Sequence, residues 1–209
     1  MSALDYILAA RVPDTVPEQS RGLWTIERWD YSSDEMMVAA IGFRTQTRLR
    51  RLTMASLHQE PGEVVMEDGL KELSRHLPIW LAAKGRVLVT GLGLGCVVRG
   101  LLAKPAVEHI TVVERDRHVI SMVWSEFADD PRCELIEGDA LAVEWPEGTN
   151  WDFAWHDIWS DSDKDEPHLQ NLHAKLLVRY QRMCPAQGAW QFPRWMKRWA
   201  RERLPRFLG

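Results

Sequence analysis

From Arg86 onward the chain alternates short apolar, β-rich runs with segments whose apolar positions recur every three or four places. The runs Arg86–Thr90 (RVLVT), His109–Val113 (HITVV), Cys133–Glu137 (CELIE), Trp151–Ile158 (WDFAWHDI) and Ala189–Phe192 (AWQF) predict five strands. The first two are almost continuously apolar, the pattern of strands covered on both faces. Between the strands, Leu94–Ala103, His118–Phe127 and Pro167–Met183 predict helices. The last carries Leu169, Leu172, Leu176, Leu177, Tyr180 and Met183 at helical spacing, with Pro167 early in the helix, where a missing N–H is tolerated. Strands alternating with helices predict βαβ units, and right-handed crossovers stack them into one Rossmann-like, doubly wound, mainly parallel α/β sheet.

Residues 1–84 follow another pattern. Leu4–Arg11 predicts a short helix, Leu23–Tyr31 (LWTIERWDY) alternates as a strand does, and Gly62–Met66 (GEVVM) predicts a second strand. Glu67–Leu81 predicts a helix with Leu70, Leu73, Leu77 and Trp80 on one face. The chain thus divides into a β-rich N-terminal extension with a leading helix (1–84), a Rossmann-like domain (85–192) and a tail (193–209). That tail predicts a basic amphipathic helix with Trp195 and Trp199 on one face. Some 17 residues after the fifth strand are too few for a further antiparallel pair of strands, so the fold is expected to be shortened there. A bare fifth strand is a pairing liability, to be covered by the tail or by a second subunit, and a homodimer is expected.

Composition adds exclusions. With 45% hydrophobic and 27% charged residues in 209, this is an ordinary globular chain, and disorder as its dominant state is excluded. No apolar stretch approaches the roughly 20 residues of a membrane span. The start, MSALDYILAARVPD, has no basic region before its apolar run, so neither a secretory leader nor a membrane partner is expected. Three scattered cysteines (Cys96, Cys133, Cys184) without a CxxC pair point to reduced thiols, a cytoplasmic location and no metal framework. Charge is unevenly spread. From Arg179 to the end stand eight basic residues and one acid, Glu202, against 18 basic and 29 acidic residues elsewhere. Such a tail either contacts nucleic acid or folds over its own acidic domain. The 11 tryptophans read mostly as packing residues.

The richest stretch is Val87-Leu88-Val89-Thr90-Gly91-Leu92-Gly93-Leu94-Gly95, an apolar strand running into a GxGxG turn before a helix. Glycines suit a backbone that turns tightly and approaches a ligand without a Cβ between them. Glu114 ends the second strand 23 residues beyond Gly91, the place of an acid that accepts hydrogen bonds from ribose hydroxyls. The third strand runs into Glu137-Gly138-Asp139-Ala140 and the fourth into Trp155-His156-Asp157-Ile158-Trp159. Acids or glycine turns at the carboxyl ends of four successive strands mark the ligand-binding rim of an open α/β sheet.

VLVTGLGLG, TVVERD, IEGDA and WDFAWHDIW resemble motifs I to IV of class I S-adenosylmethionine-dependent methyltransferases, in the spermidine-synthase-like branch. The chain also resembles small methyltransferase-like proteins, many of them phage or prophage encoded. Shared with these are Thr45-Gln46-Thr47-Arg48-Leu49-Arg50, Val65-Met66-Glu67-Asp68 with Glu72 and His76, WHDIW, and a terminal Trp190-Gln191. Dinucleotide sites favour GxGxxG, whereas the third glycine here is Gly95, in a GxGxG spacing. The resemblance implies S-adenosylmethionine as cofactor and methyl transfer to an unidentified acceptor. Gly91, Leu92, Gly93 and Gly95 would wrap its methionine end, Glu114 and Arg115 its ribose, and Asp139 with Ala140 its adenine. Asp157 would face the sulfonium and orient or deprotonate the acceptor, with His156 behind it, and Glu72, His76 and Trp159 would line the acceptor side. The alternatives are a non-catalytic accessory protein that binds this cofactor or nucleic acid, and an aminopropyltransferase.

Two departures weigh against the last. Spermidine synthases carry an aspartate inside the glycine turn where this chain has Leu94, and a Tyr-His pair where it has Arg75-His76. Asp157-Ile158-Trp159-Ser160 also lacks the prolines of the D/N-P-P-aromatic motif of amino-methylating DNA enzymes. Alternation along the fourth strand sets His156 on the face opposite Asp157, which argues against its reaching the site. Asp161-Ser162-Asp163-Lys164-Asp165 lacks the glycine and terminal acid of a calcium loop, and His168 and His173 are five apart, off metal-pair spacing. Cys96 reads as a small packing residue.

Overall fold

A computed structural model describes residues 1–30, 45–52, 62–159, 167–190, 192 and 197–208. The Asp161–Asp165 segment, Trp195, and the side chains of His168 and Leu169 lie outside this description. Among the described residues, ten strands form two sheets. Strands β1 (Gln19–Arg21), β2 (Trp24–Asp30), β3 (Thr45–Arg51) and β4 (Glu63–Glu67) pair antiparallel in sequence order. Strands β5 (Gly85–Thr90), β6 (Val107–Glu114), β7 (Cys133–Glu137), β8 (Phe153–His156), β9 (Ala186–Ala189) and β10 (Arg206–Phe207) form a six-stranded sheet ordered β10-β9-β8-β5-β6-β7. Every pairing in it is parallel. The chain starts the sheet in its middle, winds to one edge, returns and winds to the other. This is the doubly wound order, with its switch point between β5 and β8.

Burial explains which strands the sequence betrays. Val87, Leu88 and Val89 of β5 and Ile110, Val112 and Val113 of β6 are completely or almost completely buried. Helices α4 (Cys96–Leu102), α5 (Arg117–Val123, continued by a 3-10 turn at Trp124–Glu126) and α6 (Pro167–Tyr180) form the crossovers, with expected ends shifted by a few residues. In the extension, α1 (Ala3–Ala9) opens on a capping box in which the Ser2 hydroxyl accepts from Asp5 N and the Asp5 carboxylate accepts from Ser2 N.

The structure alters four expectations. The single helix over Glu67–Leu81 is two short ones, α2 (Leu70–Ser74) and α3 (Leu77–Ala82), broken at Arg75-His76. Pro78 is the cause: it has no N–H for the carbonyl four residues earlier, and it suits the first turn of a new helix. The fifth core strand is Ala186–Ala189 (AQGA), not Ala189–Phe192. A side chain at Gly188 would collide with the Leu208 carbonyl and the Trp155 ring, so this strand is built of small residues. The fourth strand shrinks to Phe153–His156, leaving Asp157, Ile158 and Trp159 in the loop at its carboxyl end.

The tail is the fourth. Helix α7 (Lys197–Arg203) is followed by β10, which pairs parallel with β9 through Arg206 opposite Ala186 and Phe207 opposite Gln187. Leu204 and Leu208 are buried against the sheet. The tail itself covers the β9 edge, one of the two covers expected for it. Arg198, Arg201, Arg203 and Arg206 remain exposed. Among the described residues, no helix is long and apolar enough to cross a membrane.

Hydrogen bonds to helix α5 help fasten the small sheet to the Rossmann-like domain. Trp24 Nε1 donates to Asp116 Oδ2 at 2.7 Å, and Gln19 Nε2 donates to the Met122 carbonyl at 3.3 Å. Ile26, Leu49 and Met66 lie opposite one another on β2, β3 and β4, all buried, and form the inner face of the small sheet. Buried Asp68 knits the extension together by accepting from Thr47 N at 2.5 Å and Val12 N at 3.0 Å.

Candidate active site

The switch point opens into a cleft of about 370 Å³, with the carboxyl ends of β5 to β8 as its floor and the small sheet as one wall. Gly91 and Gly93 from the β5 turn, Glu114 and Arg115 after β6, Asp139 and Ala140 after β7, and Asp157 and Trp159 after β8 all line it. Glu114 and Asp139 therefore share one rim. Gly138 N donates to the Glu114 carbonyl at 2.8 Å, continuing the β6–β7 pairing into that rim.

The glycine turn is shaped by its neighbours. Gly91 has φ 92°, and a Cβ there would overlap the Asp157 carbonyl oxygen. Gly93 has φ 50° and lies under Met66, whose sulfur accepts from Leu94 N at 3.2 Å. Met66 thus packs on the side of the turn while Gly91 and Gly93 stay open to the cleft. Gly95 does not reach the cleft. It is the left-handed residue ahead of α4, and a side chain there would strike Phe127 and Val123. The Leu92 side chain is buried away from the cleft, but its N–H donates to Glu114 Oε2 at 2.8 Å.

Glu114 is held rigidly. Its Oε1 accepts from the N–H groups of Arg115 and Asp116, both at 2.8 Å, while Leu92 N fixes Oε2. A carboxylate oxygen has room for about two hydrogen bonds, so Oε2, with one donor, keeps acceptor capacity. Asp139 Oδ1 accepts from Leu141 N at 2.8 Å, and the Ala140 carbonyl accepts from the buried Tyr180 hydroxyl at 2.8 Å.

Asp157 differs from the other acids. Its side chain is 15% exposed, and burial, then the neighbouring charges of Glu72 and Glu114, push its carboxyl well above the usual carboxylate range. Glu72 also lines the cleft and pairs with Arg75 at 2.9 Å. His76 does not line it. The ring is completely buried 4.0 Å behind Asp157 Oδ2, which corrects the expectation that His76 meets the acceptor directly.

His156 is also corrected. Its side chain is completely buried on the other face of β8, with Nδ1 3.0 Å from Thr90 Oγ1 and Nε2 3.0 Å from Gln187 Oε1. Gln187 Nε2 donates to the Leu177 and Cys184 carbonyls, so its Oε1 is the acceptor for His156 Nε2–H, and Nδ1 accepts from Thr90. Both nitrogens are engaged, and burial pushes the ring down to about 4. His156 ties strands together and is removed from the catalytic set. Cys96 is buried and its thiol is pushed far up by burial, as suits a packing residue.

Sequence reasoning missed the wall. Leu23, Trp24, Leu49, Arg51, Val65 and Met66 reach the cleft from the small sheet, and Asp116, Ile158 and Trp190 complete it. Leu49 and Met66 stand in the segments Thr45–Arg50 and Val65–Asp68, but no spacing rule ties them to the glycine turn, because the contact arises only when the two sheets meet. With Glu72, Glu114, Asp116, Asp139 and Asp157 against Arg51 and Arg115, the described lining is acidic and suits a cationic ligand.

No family model matches the chain. It is 30% identical over 123 residues to the polyamine aminopropyltransferase of Agathobacter rectalis, covering 54% of this chain and 42% of that one. It is 29% identical over 164 residues to the spermidine synthase of Coffea arabica, covering 68% and 51%. Over 60 residues it is 40% identical to ribosomal RNA small subunit methyltransferase A of a Synechococcus species, covering 29% and 21%. Among solved structures it is similar to spermidine synthase from Thermotoga maritima, at 17% identity and TM-score 0.43, over 77% of this chain and 53% of that one. A dimethyladenosine transferase from Plasmodium falciparum matches at 18% identity and TM-score 0.41, over 57% and 40%. The chain spans about half or less of the length of the curated relatives it matches.

Proposed function

We propose that this protein is a methyltransferase whose donor is S-adenosylmethionine. One observation carries the reading: Gly91, Glu114, Asp139 with Ala140, and Asp157, from the ends of four successive strands, line a single cleft. Its chemistry fits an adenosyl sulfonium compound. Ala140 and the Asp139 carboxylate meet the adenine, Glu114 accepts from the ribose hydroxyls, and Gly91 leaves room for backbone approach. The acidic lining favours the positive sulfur. When bound, the donor supplies a methyl group by direct displacement at its sulfonium. Asp157, lining the cleft just after β8, orients the acceptor and takes the proton it sheds as the methyl group arrives.

Calorimetry with S-adenosylmethionine, its decarboxylated form and a nicotinamide dinucleotide tests the reading. The first should bind, and Glu114→Ala should weaken it about 10- to 100-fold, the worth of charged hydrogen bonds. Equal binding by wild type and Glu114→Ala would remove the assignment.

Aminopropyl transfer is a second reading, favoured by Glu72 and Asp157 lining the cleft and by the names of two relatives. Leu94, buried where spermidine synthases carry an aspartate, speaks against it. Mass spectrometry separates the two, since methyl transfer leaves S-adenosylhomocysteine and aminopropyl transfer leaves methylthioadenosine. The exposed arginines of α7 and β10 favour a nucleic-acid partner, either as acceptor or, in an accessory role, as sole ligand. Retention on a polyanion that falls steeply with salt is the expected signature.

A further inference from the structure

His76 sits at the break between α2 and α3, where its backbone caps the second helix without a side-chain cap bond. Its ring is completely buried, and among the described residues neither Nδ1 nor Nε2 has a hydrogen-bond partner. Buried polar atoms are almost always paired, so an imidazole with two idle nitrogens calls for a reason. The Trp80 ring lies 5.5 Å away, tilted, and the Trp155 ring 5.9 Å away, edge to face. On the cleft side, Nε2 stands 4.0 Å from Asp157 Oδ2, about 1 Å beyond a hydrogen bond.

The charges around this pair come from every element packed on it. Arg75 and Glu72 flank the ring on its own segment as an ion pair, and Glu114 faces Asp157 from β6. The Cys96 thiol of α4, raised by burial, stays protonated, and Asp68, Glu72 and Asp157 all act on it. Burial, then the charges of Glu72 and Glu114, raises the Asp157 carboxyl, and burial, then Arg75, lowers the His76 ring, so both shifts lean toward the neutral pair. A sulfonium beside Asp157 reverses that balance, because a positive charge favours the carboxylate.

We propose that His76 is the proton partner of Asp157, receiving the carboxyl proton on Nε2 when the sulfonium cation enters the cleft, so that the pair turns from neutral–neutral into carboxylate and imidazolium. The proton leaves the Asp157 oxygen, its bonding electrons stay on that oxygen, and the His76 Nε2 lone pair takes it; no proton goes to solvent. Asp157 is thereby made a base at the moment a donor is present. The two indole rings enclose the imidazolium, an arrangement aromatic rings favour. His76 acts through Asp157 and touches no substrate, so it is a positioning residue. The role rests on the sulfonium-donor reading above.

The test is calorimetric titration of the full chain with S-adenosylmethionine near pH 7, in buffers of differing ionisation enthalpy, alongside ¹⁵N spectra of the imidazoles. Wild type should release close to no protons on binding, while its His76 nitrogens shift to the imidazolium pattern. His76→Gln, shown by melting to be folded, should release about one proton. Asp157→Asn should bind with His76 still neutral. Binding with equal proton release in wild type and His76→Gln, or a His76 ring that stays neutral at saturation, overturns the pairing alone. Absence of any binding removes the donor reading as well, and this role with it.

Discussion

The two sheets meet at one cleft but are made in opposite ways. The large sheet buries apolar β5 and β6 on both faces and sets Glu114, Asp139 and Asp157 at the carboxyl ends of its strands, where they line the cleft. The small sheet carries its charges along the strands and neutralises them sideways. Arg48 pairs with Glu67 at 3.2 Å, Arg51 with Glu63 at 3.5 Å, and Arg50 with Glu27. The buried Ile26–Leu49–Met66 row gives it an apolar inner face. The floor of the site is thus set by burial and backbone geometry, the wall by a few side chains on a polar frame.

Substitutions can break that contrast. Gly91→Ala should have the largest effect, because its side chain would enter the Asp157 carbonyl from a left-handed backbone position. A loss of about 4 kcal/mol or more is expected in urea unfolding, with the cleft disrupted. Leu49→Ala, at the centre of the wall, should cost about 3 kcal/mol, the range for a fully buried leucine. Its separate signature is weaker donor binding from a wall that no longer closes on Met66. A loss as large as that of Gly91→Ala would mean that the two sheets unfold as one unit.

The sheets also answer acid differently. His156 inside the large sheet is held down to about 4, and His76 to about 3, so both stay neutral while the unfolded chain takes up protons from about pH 6.5 downward. The unfolded state then binds more protons, and stability falls with pH in that window, by about 2 kcal/mol per histidine at pH 5. Buried Asp68 in the extension has the opposite sign. Burial raises its carboxyl, so its contribution is present at low pH and is lost as the pH rises through its folded value. His156→Gln should flatten the fall of unfolding free energy near pH 5 by about one proton, measured by chemical denaturation across pH 7 to 5. An unchanged slope would show His156 to be charged inside the fold. Smallest of all, Glu67→Gln removes a partly exposed ion pair and should cost only about 0.5 kcal/mol.

The same contrast explains what was legible in the sequence. Strands β5, β6 and β7 and the acids Glu114, Asp139 and Asp157 stand where apolar runs and spacing put them. Strand β3 hides because TQTRLRR looks polar until its partners' acids are beside it, and β9 hides because Gly188 and Ala189 are small for packing reasons. Strand β10 is two residues long, too short for any periodicity. His156 and Asp157 are neighbours in sequence, yet one is structural and the other faces the cleft. Alternation along β8 foretells that difference, while the burial of His76 behind the cleft depends on a helix break that only Pro78 hints at.

The close approach of Gly91 to the Asp157 carbonyl reaches beyond stability. Two strand ends that touch backbone to backbone leave that corner of the pocket no freedom to widen or shift. Room for ligands of other sizes has to be found in the opposite wall, by exchanging side chains such as Leu23, Leu49 and Val65, while the glycine corner keeps its dimensions. Under the proposed function, attempts to redirect the cleft toward new acceptors would do best to randomise the small sheet and leave that corner alone.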